Sequence, residues 1–148
     1  MSDSIKQDVK LRYIEKQACF SQLTPKEKEV LAGLLKEKTF HPNQVIVKEG
    51  EIVDSVYLIM SGKADVQTLR IINGIPQINH VATLDADDAI GLNETGFYSL
   101  TGRRTATVIA VTEVATLALS VAAFHGFALE YSHVNEVMHK QAEDFTKF

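Results

Sequence analysis

The chain has 148 residues, 45% of them hydrophobic and 23% charged, which fits one compact globular domain. Its net charge of -4 argues against a basic nucleic-acid surface, and its single cysteine, Cys19, excludes an internal disulfide. The N-terminus has no apolar signal core and no apolar run approaches the roughly twenty residues of a membrane span, so we expect a cytoplasmic protein without a membrane span, or a cytoplasmic fragment of a larger one.

Two helices are predicted at the N-terminal end of the chain. Apolar residues recur at helical spacing among charges from about Ser4 to Cys19. The second helix has a clear start, because Thr24 can act as the N-cap, Pro25 suits the first helical position and Glu27 completes a capping box. We interpret both as packing helices rather than carriers of chemistry.

A series of short β-type runs follows these helices. The pair Asn73-Gly74 is a strong hairpin signal, since a type I′ turn needs positive φ at both positions. About eight short strands separated by turn signals favour an antiparallel barrel or jelly roll. The predicted runs are Val45–Val47, Val56–Met60, Ala64–Leu69, Ile78–Leu84, Thr105–Val111 and Val114–Leu119.

Two more helices are predicted after the strands. Ser120 can cap the first, over Val121 to Glu130, and Gly126 inside it would mark a close helix contact; the second should run from Ser132 to the end. The predicted fold is mainly β with flanking helices, an antiparallel β-roll (double-stranded β-helix or jelly roll) with N-terminal helices and two C-terminal helices. One domain over residues 1–148 is expected, with helices at about 4–37, the β-roll at about 39–119 and C-terminal helices at about 121–148.

The stretch from Ala89 to Ala110 concentrates the groups that a small polyol phosphate needs. Free backbone N–H groups near its glycines and the Arg103-Arg104 pair suit a phosphate. The carboxylate of Glu94 suits sugar hydroxyls, and the small residues Thr105 and Ala106 would let a ligand lie close to the chain.

These residues resemble the phosphate-binding cassette of cyclic nucleotide-binding domains, the cAMP- and cGMP-binding family of the catabolite activator, channel and kinase regulatory type. That family has a Gly-Glu-x-small-Leu segment, a short loop, and then Arg-(Ser/Thr/Ala)-Ala-x-Val. The likeness extends over the opening strands and runs from about Phe20 to Tyr131. The matching residues are Asn93-Glu94-Thr95-Gly96-Phe97 and, ten residues after Glu94, Arg104-Thr105-Ala106-Thr107-Val108.

The resemblance implies a role for each matched residue. In the family the arginine holds the cyclic phosphate and the glutamate holds a ribose hydroxyl, which implies these roles for Arg104 and Glu94. Backbone N–H groups from Asn93 to Phe97 would also face the phosphate. Thr105 either contacts the phosphate and a guanine base, as in some members, or is a strand residue chosen for β propensity; it does not decide between cAMP and cGMP.

A second alignment of the first segment is also open. It matches the family's aromatic-glycine pair with Ile90-Gly91, which puts Leu92 at the position of the acid and Glu94 in a two-residue insertion. We favour the first alignment, because Asn93 can take a left-handed conformation in place of glycine and the family uses the resulting acid-to-arginine distance.

The remaining polar and apolar candidates have simpler interpretations. Arg103 is expected to face solvent. The five histidines are scattered without a His-x-His pair, so no metal site is predicted. Cys19 is interpreted as a packing residue, and Val137 and Met138 either close over a purine as a lid or pack in the core.

The leading hypothesis is a non-enzymatic regulatory module that binds a cyclic nucleotide, with cAMP placed ahead of cGMP, as a ligand and without a cofactor. Ligand binding would reposition the C-terminal helices. The partners would be the nucleotide and an unidentified output protein or domain, with no nucleic acid; a homodimer is left open. The alternative is a degenerate domain that binds no nucleotide and acts as a protein-interaction scaffold. A cupin-type metalloenzyme is discouraged by the missing histidine pair.

Overall fold

A computed structural model describes residues 6–17, 20–93, 96–97 and 102–134. Three helices lie in this part of the chain: α1 (Gln7–Glu15), α2 (Pro25–Leu34) and α3 (Val121–Glu130). Residues 132–134 are helical as well, and most of the second predicted C-terminal helix lies outside the described residues.

The described chain contains ten strands, paired antiparallel throughout. The strands are β1 (Lys36–Phe40), β2 (Val45–Val47), β3 (Ser55–Ser61), β4 (Ala64–Ile72), β5 (Ile75–Leu84), β6 (Ala89–Ile90), β7 (Leu92–Asn93), β8 (Gly96–Phe97), β9 (Thr107–Ala110) and β10 (Val114–Ser120). They form two four-stranded sheets, in the order β1-β10-β3-β6 and β2-β9-β4-β5, and a two-stranded ladder β7-β8. The predicted fold class, a β-roll with flanking helices, is confirmed.

Local capping signals set the helix boundaries that sequence patterns identified. The Thr24 hydroxyl accepts a hydrogen bond from the Glu27 N–H, and the Glu27 carboxylate accepts one from the Thr24 N–H, so the predicted capping box is formed. The Ser120 hydroxyl accepts from the Ala123 N–H, and α3 has the predicted bounds.

The first helix and the first strand have bounds that differ from the expected ones. The helix expected from about Ser4 to Cys19 is α1, Gln7–Glu15. The first strand begins at Lys36 rather than near residue 39, because Lys36 to Phe40 pair with β10 although four of the five side chains are exposed. Such a strand carries no alternating apolar signal, so only its partner reveals it.

The buried apolar residues of the described chain form two clusters, one on each face of the sheet that contains β3. Val56 and Leu58 face the helices, where they pack with a cluster that includes Leu31 and Phe124. Tyr57 and Ile59 face the space between the two sheets. Successive β3 side chains alternate between these clusters, which explains why the run Val56–Met60 reads as continuously apolar.

The hairpin between β4 and β5 forms at the predicted turn and is longer than expected. Asn73 and Gly74 have φ of 54° and 80°, as a type I′ turn requires. Pairing begins at Ile72 with Ile75, so β5 starts three residues before the predicted run Ile78–Leu84.

Among the described residues, none approaches Gly126 closely enough to make the expected close helix contact. A Cβ added there would meet no described atom within 4 Å. Within the described ranges, no helix has both the length and the apolar character needed to span a membrane.

Candidate functional site

A cavity of about 480 Å³ opens against β4, β5 and β6 and the segment that leads into β9. This volume lies within the roughly 300–1,000 Å³ typical of small-molecule sites. Most of its lining is apolar, with side chains such as Val66, Leu84 and Ile90. Its described lining residues with polar side chains are Thr68, Arg70, Arg104 and Thr105.

Backbone hydrogen bonds fix Arg104 at the edge of this cavity. Its N–H donates to the Glu51 carbonyl at 2.7 Å, and its carbonyl accepts from the Gly50 N–H at 2.9 Å. These two bonds hold the segment before β9 against the turn that follows β2. The Arg104 backbone, from which its side chain extends, is therefore fixed.

The Arg104 guanidinium is buried and only partly hydrogen-bonded. Its side chain is 6% exposed, and Nη2 donates to the Ser55 carbonyl at 2.7 Å and lies 3.8 Å from an Asp54 carboxylate oxygen. Nη1 has no hydrogen-bond partner among the described residues. Burial lowers the pKa of Arg104 from its usual value, against the opposing effects of Tyr57, Asp54 and Glu51. An arginine stays charged under such conditions, so the site holds a positive charge, and no described residue accepts a hydrogen bond from its Nη1.

Gly91 is the glycine that lies beside this guanidinium. Its φ is +93°, and a Cβ added to it would lie 3.3 Å from Arg104 Nη1 and 2.8 Å from a methyl carbon of Val56. Gly91 belongs to the second alignment considered above. We expected Asn93 to take a left-handed conformation. Instead, Asn93 lies in β7 and pairs with Gly96 of β8. The left-handed position near the arginine therefore falls two residues earlier than expected.

Thr105 and Ala106 lie in a bend between Arg104 and β9, and both line the cavity. The predicted strand Thr105–Val111 is observed as Thr107–Ala110, so the interpretation of Thr105 as a strand residue is wrong. Because the chain changes direction at this bend, these two small residues lie in the cavity wall.

Arg103, the neighbour of Arg104, is exposed as expected. Its Nη1 donates to the Gly50 carbonyl at 2.9 Å, and its backbone forms an isolated bridge with Ile52. The two adjacent arginines thus differ sharply: one extends over the surface turn, and the other is buried at the cavity.

Several predicted site residues cannot be placed. Glu94 and Thr95 lie outside the described residues, as do the two lid candidates Val137 and Met138 and the single cysteine Cys19. Gly96 and Phe97 are described only as the backbone of β8.

Two polar residues that line the cavity, Thr68 and Arg70, are absent from the predicted site. Both lie on β4 and share the cavity face with Val66; Thr68 is buried, whereas Arg70 is exposed. The signal was present as the spacing Val66-x-Thr68-x-Arg70, but a polar residue at an inward position reads as the end of a strand. No group of three or more metal-ligating side chains occurs among the described residues.

The sequence matches the family model of the cyclic nucleotide-binding domain over residues 37–131. This match covers more than half of the chain, and the chain therefore belongs to the cyclic nucleotide-binding domain family.

A curated relative and two solved structures illustrate the similarity. A segment of 45 residues, 30% of this chain, is 47% identical to a cGMP-dependent protein kinase from Eimeria tenella, of which it covers 4%. The N-terminal domain of a transcriptional regulator from Streptomyces coelicolor A3(2) is 21% identical with a TM-score of 0.75, over 91% of this chain and 90% of that one. The regulatory domain of Toxoplasma gondii PKA, co-crystallised with cAMP, is 20% identical with a TM-score of 0.69, over 82% of this chain and 44% of that one. The two structures share the fold, and the chain spans only a small part of the kinase.

Proposed function

We propose that the cavity beside Arg104 binds the cyclic phosphate of cAMP or cGMP and that the module transmits this event without catalysing a reaction. The observation that carries the proposal is the buried Arg104 guanidinium, 6% exposed, with Nη1 unpartnered among the described residues. A buried cation with unused donors at an apolar cavity suits a small anion, because charge-assisted hydrogen bonds are stronger there than in water.

The other predicted ligand contacts extend this proposal. Backbone N–H groups from Asn93 to Phe97 would share the phosphate, and Glu94 would accept from a ribose hydroxyl. Thr105 and Ala106, which line the cavity, would let the ring approach the chain closely.

Binding would be coupled to movement of the segment that contains Gly91. Nη1 of Arg104 is buried beneath this segment, so a phosphate oxygen can reach it only if Gly91 shifts or the guanidinium turns away from Ser55. A ligand that binds one of these arrangements more tightly shifts the population toward it. Such a shift is the first step needed for regulation.

The C-terminal helices would receive this movement. The side chains of His133 and Glu27 meet at 2.8 Å, and Val134 is fully buried in the helical core cluster, so the segment after α3 is packed against the N-terminal helices. In the proposed mechanism this segment moves when the phosphate-binding segment is ordered, and Val137 and Met138 cover the base. An output protein or domain, or a second copy of the chain, would then recognise the new arrangement.

Titration calorimetry with cAMP and cGMP tests the proposal. Arg104→Ala should weaken binding by roughly 2–5 kcal/mol, because the phosphate would enter a buried site without its counter-charge. Arg103→Ala is the matched control and should bind as the unchanged protein does. Equal affinity in the two variants would remove Arg104 from the mechanism.

A domain that binds no nucleotide and acts as an interaction scaffold is the second candidate. The hydrogen bond from Arg104 Nη2 to the Ser55 carbonyl favours it, since this bond already uses part of the guanidinium. Thermal melts with millimolar cAMP or cGMP distinguish the two candidates, because a ligand that binds only the folded state raises the midpoint. An unchanged midpoint with both nucleotides supports the scaffold.

A further inference from the structure

We propose that Thr68 and Arg70 of β4 recognise the base of the bound nucleotide and make the module selective for guanine over adenine. This inference rests on the proposed function of the same cavity and names the ligand that the cavity prefers. It concerns side chains on the β4–β5 hairpin rather than in the segment from Ala89 to Ala110.

The strand register places these two residues on the part of β4 that no longer pairs with β9. Pairing of β4 with β9 ends at Gln67 with Thr107, while pairing of β4 with β5 continues to the hairpin turn. Beyond Gln67 this edge of β4 has no strand partner, and Thr105 and Ala106, which precede Thr107, form a bend that also lines the cavity. Side chains on the inner face of this part of β4 can therefore meet a ligand held at that bend.

A carboxylate keeps this free edge of β4 in place. The Leu69 N–H, which has no strand partner on that side, donates to Glu49 Oε1 at 3.0 Å. The Glu49 N–H in turn donates to the Thr107 hydroxyl at 2.9 Å, which ties the arrangement to the start of β9. Because Leu69 is fixed, the positions of its neighbours Thr68 and Arg70 on the cavity face are fixed as well.

Thr68 has an unused hydroxyl in this wall. The residue is only 8% exposed, and its Oγ1 has no hydrogen-bond partner among the described residues. A buried polar group without a partner is destabilising. A ligand atom that formed a hydrogen bond with this hydroxyl would therefore remove that cost and strengthen binding. Arg104 Nη1 is the other buried side-chain atom without a partner in the described chain, and both residues line the same cavity.

The polar lining of the cavity is rich in donors. Its two arginines, Arg70 and Arg104, only donate, and the hydroxyls of Thr68 and Thr105 can donate or accept. No carboxylate or side-chain amide lies among the described lining residues. If Arg104 serves the phosphate, Arg70, which is exposed at the rim of the cavity, remains for the base and requires an acceptor-rich edge.

Guanine presents such an edge and adenine does not. The O6 and N7 atoms of guanine are both acceptors, and arginine binds the pair in a bidentate manner. Adenine has the same N7 but places an amino donor where guanine has O6, so one N–H of Arg70 would face another donor. The Thr68 hydroxyl can add a bond to the acceptor edge from deeper in the wall.

Calorimetric titrations of cGMP and cAMP into six variants and the unchanged protein test this inference. Arg70→Gln and Thr68→Val remove the two proposed contacts. Arg12→Gln, an exposed arginine on α1, and Thr83→Val, an exposed threonine on β5, are the matched controls. Arg104→Ala and Arg103→Ala report on the phosphate site independently.

The unchanged protein should bind cGMP about tenfold or more tightly than cAMP, as a bidentate arginine contact provides. Arg70→Gln should remove most of this preference by weakening cGMP alone, and Thr68→Val should weaken cGMP by a smaller factor, about threefold. Cyclic IMP, which keeps O6 and N7 but lacks the 2-amino group of guanine, should bind as cGMP does. Both control variants should match the unchanged protein.

The possible outcomes distinguish guanine recognition by Thr68 and Arg70 from phosphate binding by Arg104. If both nucleotides bind, Arg104→Ala weakens both, and Arg70→Gln leaves their ratio unchanged, the proposed recognition of guanine by Arg70 is overturned and phosphate binding stands. A preference for cAMP, or loss of cyclic IMP binding while cGMP binds, also overturns it. If the unchanged protein binds neither nucleotide, the proposed function fails, and the inference fails with it.

Discussion

Gly91 lies against the guanidinium of Arg104, so closely that a Cβ on Gly91 would be 3.3 Å from Nη1. The same Cβ would be 2.8 Å from a methyl carbon of Val56, a fully buried residue of β3. Backbone conformation and space therefore both restrict this position to glycine. This contact connects the end of β6 with the residue proposed to hold the phosphate. A displacement of Gly91 should therefore displace the Arg104 guanidinium.

Gly91→Ala should destabilise the domain more than a glycine-to-alanine change at an open turn. Gly50 is the matched control, since its φ of +89° is nearly the same but a Cβ there would meet nothing within 4 Å. Gly50→Ala should cost about 1–2 kcal/mol for the left-handed conformation alone. Gly91→Ala adds an overpacking cost of about 1–3 kcal/mol and should also weaken nucleotide binding through Arg104. Urea unfolding and calorimetry measure the two effects; equal losses in both variants would contradict the proposed contact.

Asp54 should contribute little to the position of Arg104, although the two side chains carry opposite charges. The Asp54 side chain is 85% exposed and its carboxylate lies 3.8 Å from Nη2, whereas the Ser55 carbonyl accepts a bond at 2.7 Å. Exposed ion pairs are weak because water and salt screen them. Asp54→Asn should change the free energy of unfolding by less than about 0.5 kcal/mol. A loss several times larger in urea unfolding would show that the carboxylate, not the carbonyl, anchors the guanidinium.

The Glu49 carboxylate should protect the free edge of β4. Glu49→Ala removes the acceptor of the Leu69 N–H, a hydrogen bond of about 1 kcal/mol, so exchange of that amide with deuterium should accelerate about fivefold. Glu49→Gln keeps an acceptor oxygen and serves as the control, with exchange close to that of the unchanged protein. Amide exchange followed by NMR gives the residue-level readout. If Leu69 exchanges equally fast in all three proteins, Glu49 does not stabilise the cavity wall.

The parts of the fold that sequence reasoning predicted are those fixed by neighbours in the chain. Thr24 and Ser120 cap helices within three residues, and Asn73-Gly74 makes its turn alone. The start of β1 at Lys36 depends on pairing with Ala118, a residue more than eighty positions away. A local pattern contains no information about such a partner.

In the candidate site, too, features set by neighbours in the chain could be predicted, and those set by distant residues could not. Arg104 could be identified because its neighbours form a compact motif, and its burial is consistent with the predicted phosphate role. The sequence pattern predicts a left-handed conformation at Asn93, but Asn93 belongs to β7, and the positive φ lies at Gly91, beside Val56 and Arg104. Thr68 and Arg70 were missed although their spacing from Val66 was visible, since their place in the cavity wall depends on β4 extending past the end of β9.

Glu27 and His133 provide a pH-dependent contact between the N-terminal helices and the segment after α3. Burial alone would raise the pKa of Glu27, but hydrogen bonds from the Thr24 N–H and from His133 outweigh it, and the pKa lies below its ordinary value of 4.5. A carboxyl whose folded pKa is depressed stabilises the fold at pH values above its unfolded pKa, and this contribution is lost as the pH falls through the folded pKa.

Glu27→Gln should therefore destabilise the domain by about 1 kcal/mol at neutral pH, because glutamine keeps the capping bond to Thr24 but loses the charge that faces His133. The difference from the unchanged protein should shrink below about pH 4.5, where the carboxylate becomes protonated. Urea unfolding across this pH range measures it, with the exposed Glu29→Gln on the same helix as the control. A difference that stays constant from pH 7 to pH 3 would show that the charge of Glu27 does not stabilise the contact with His133.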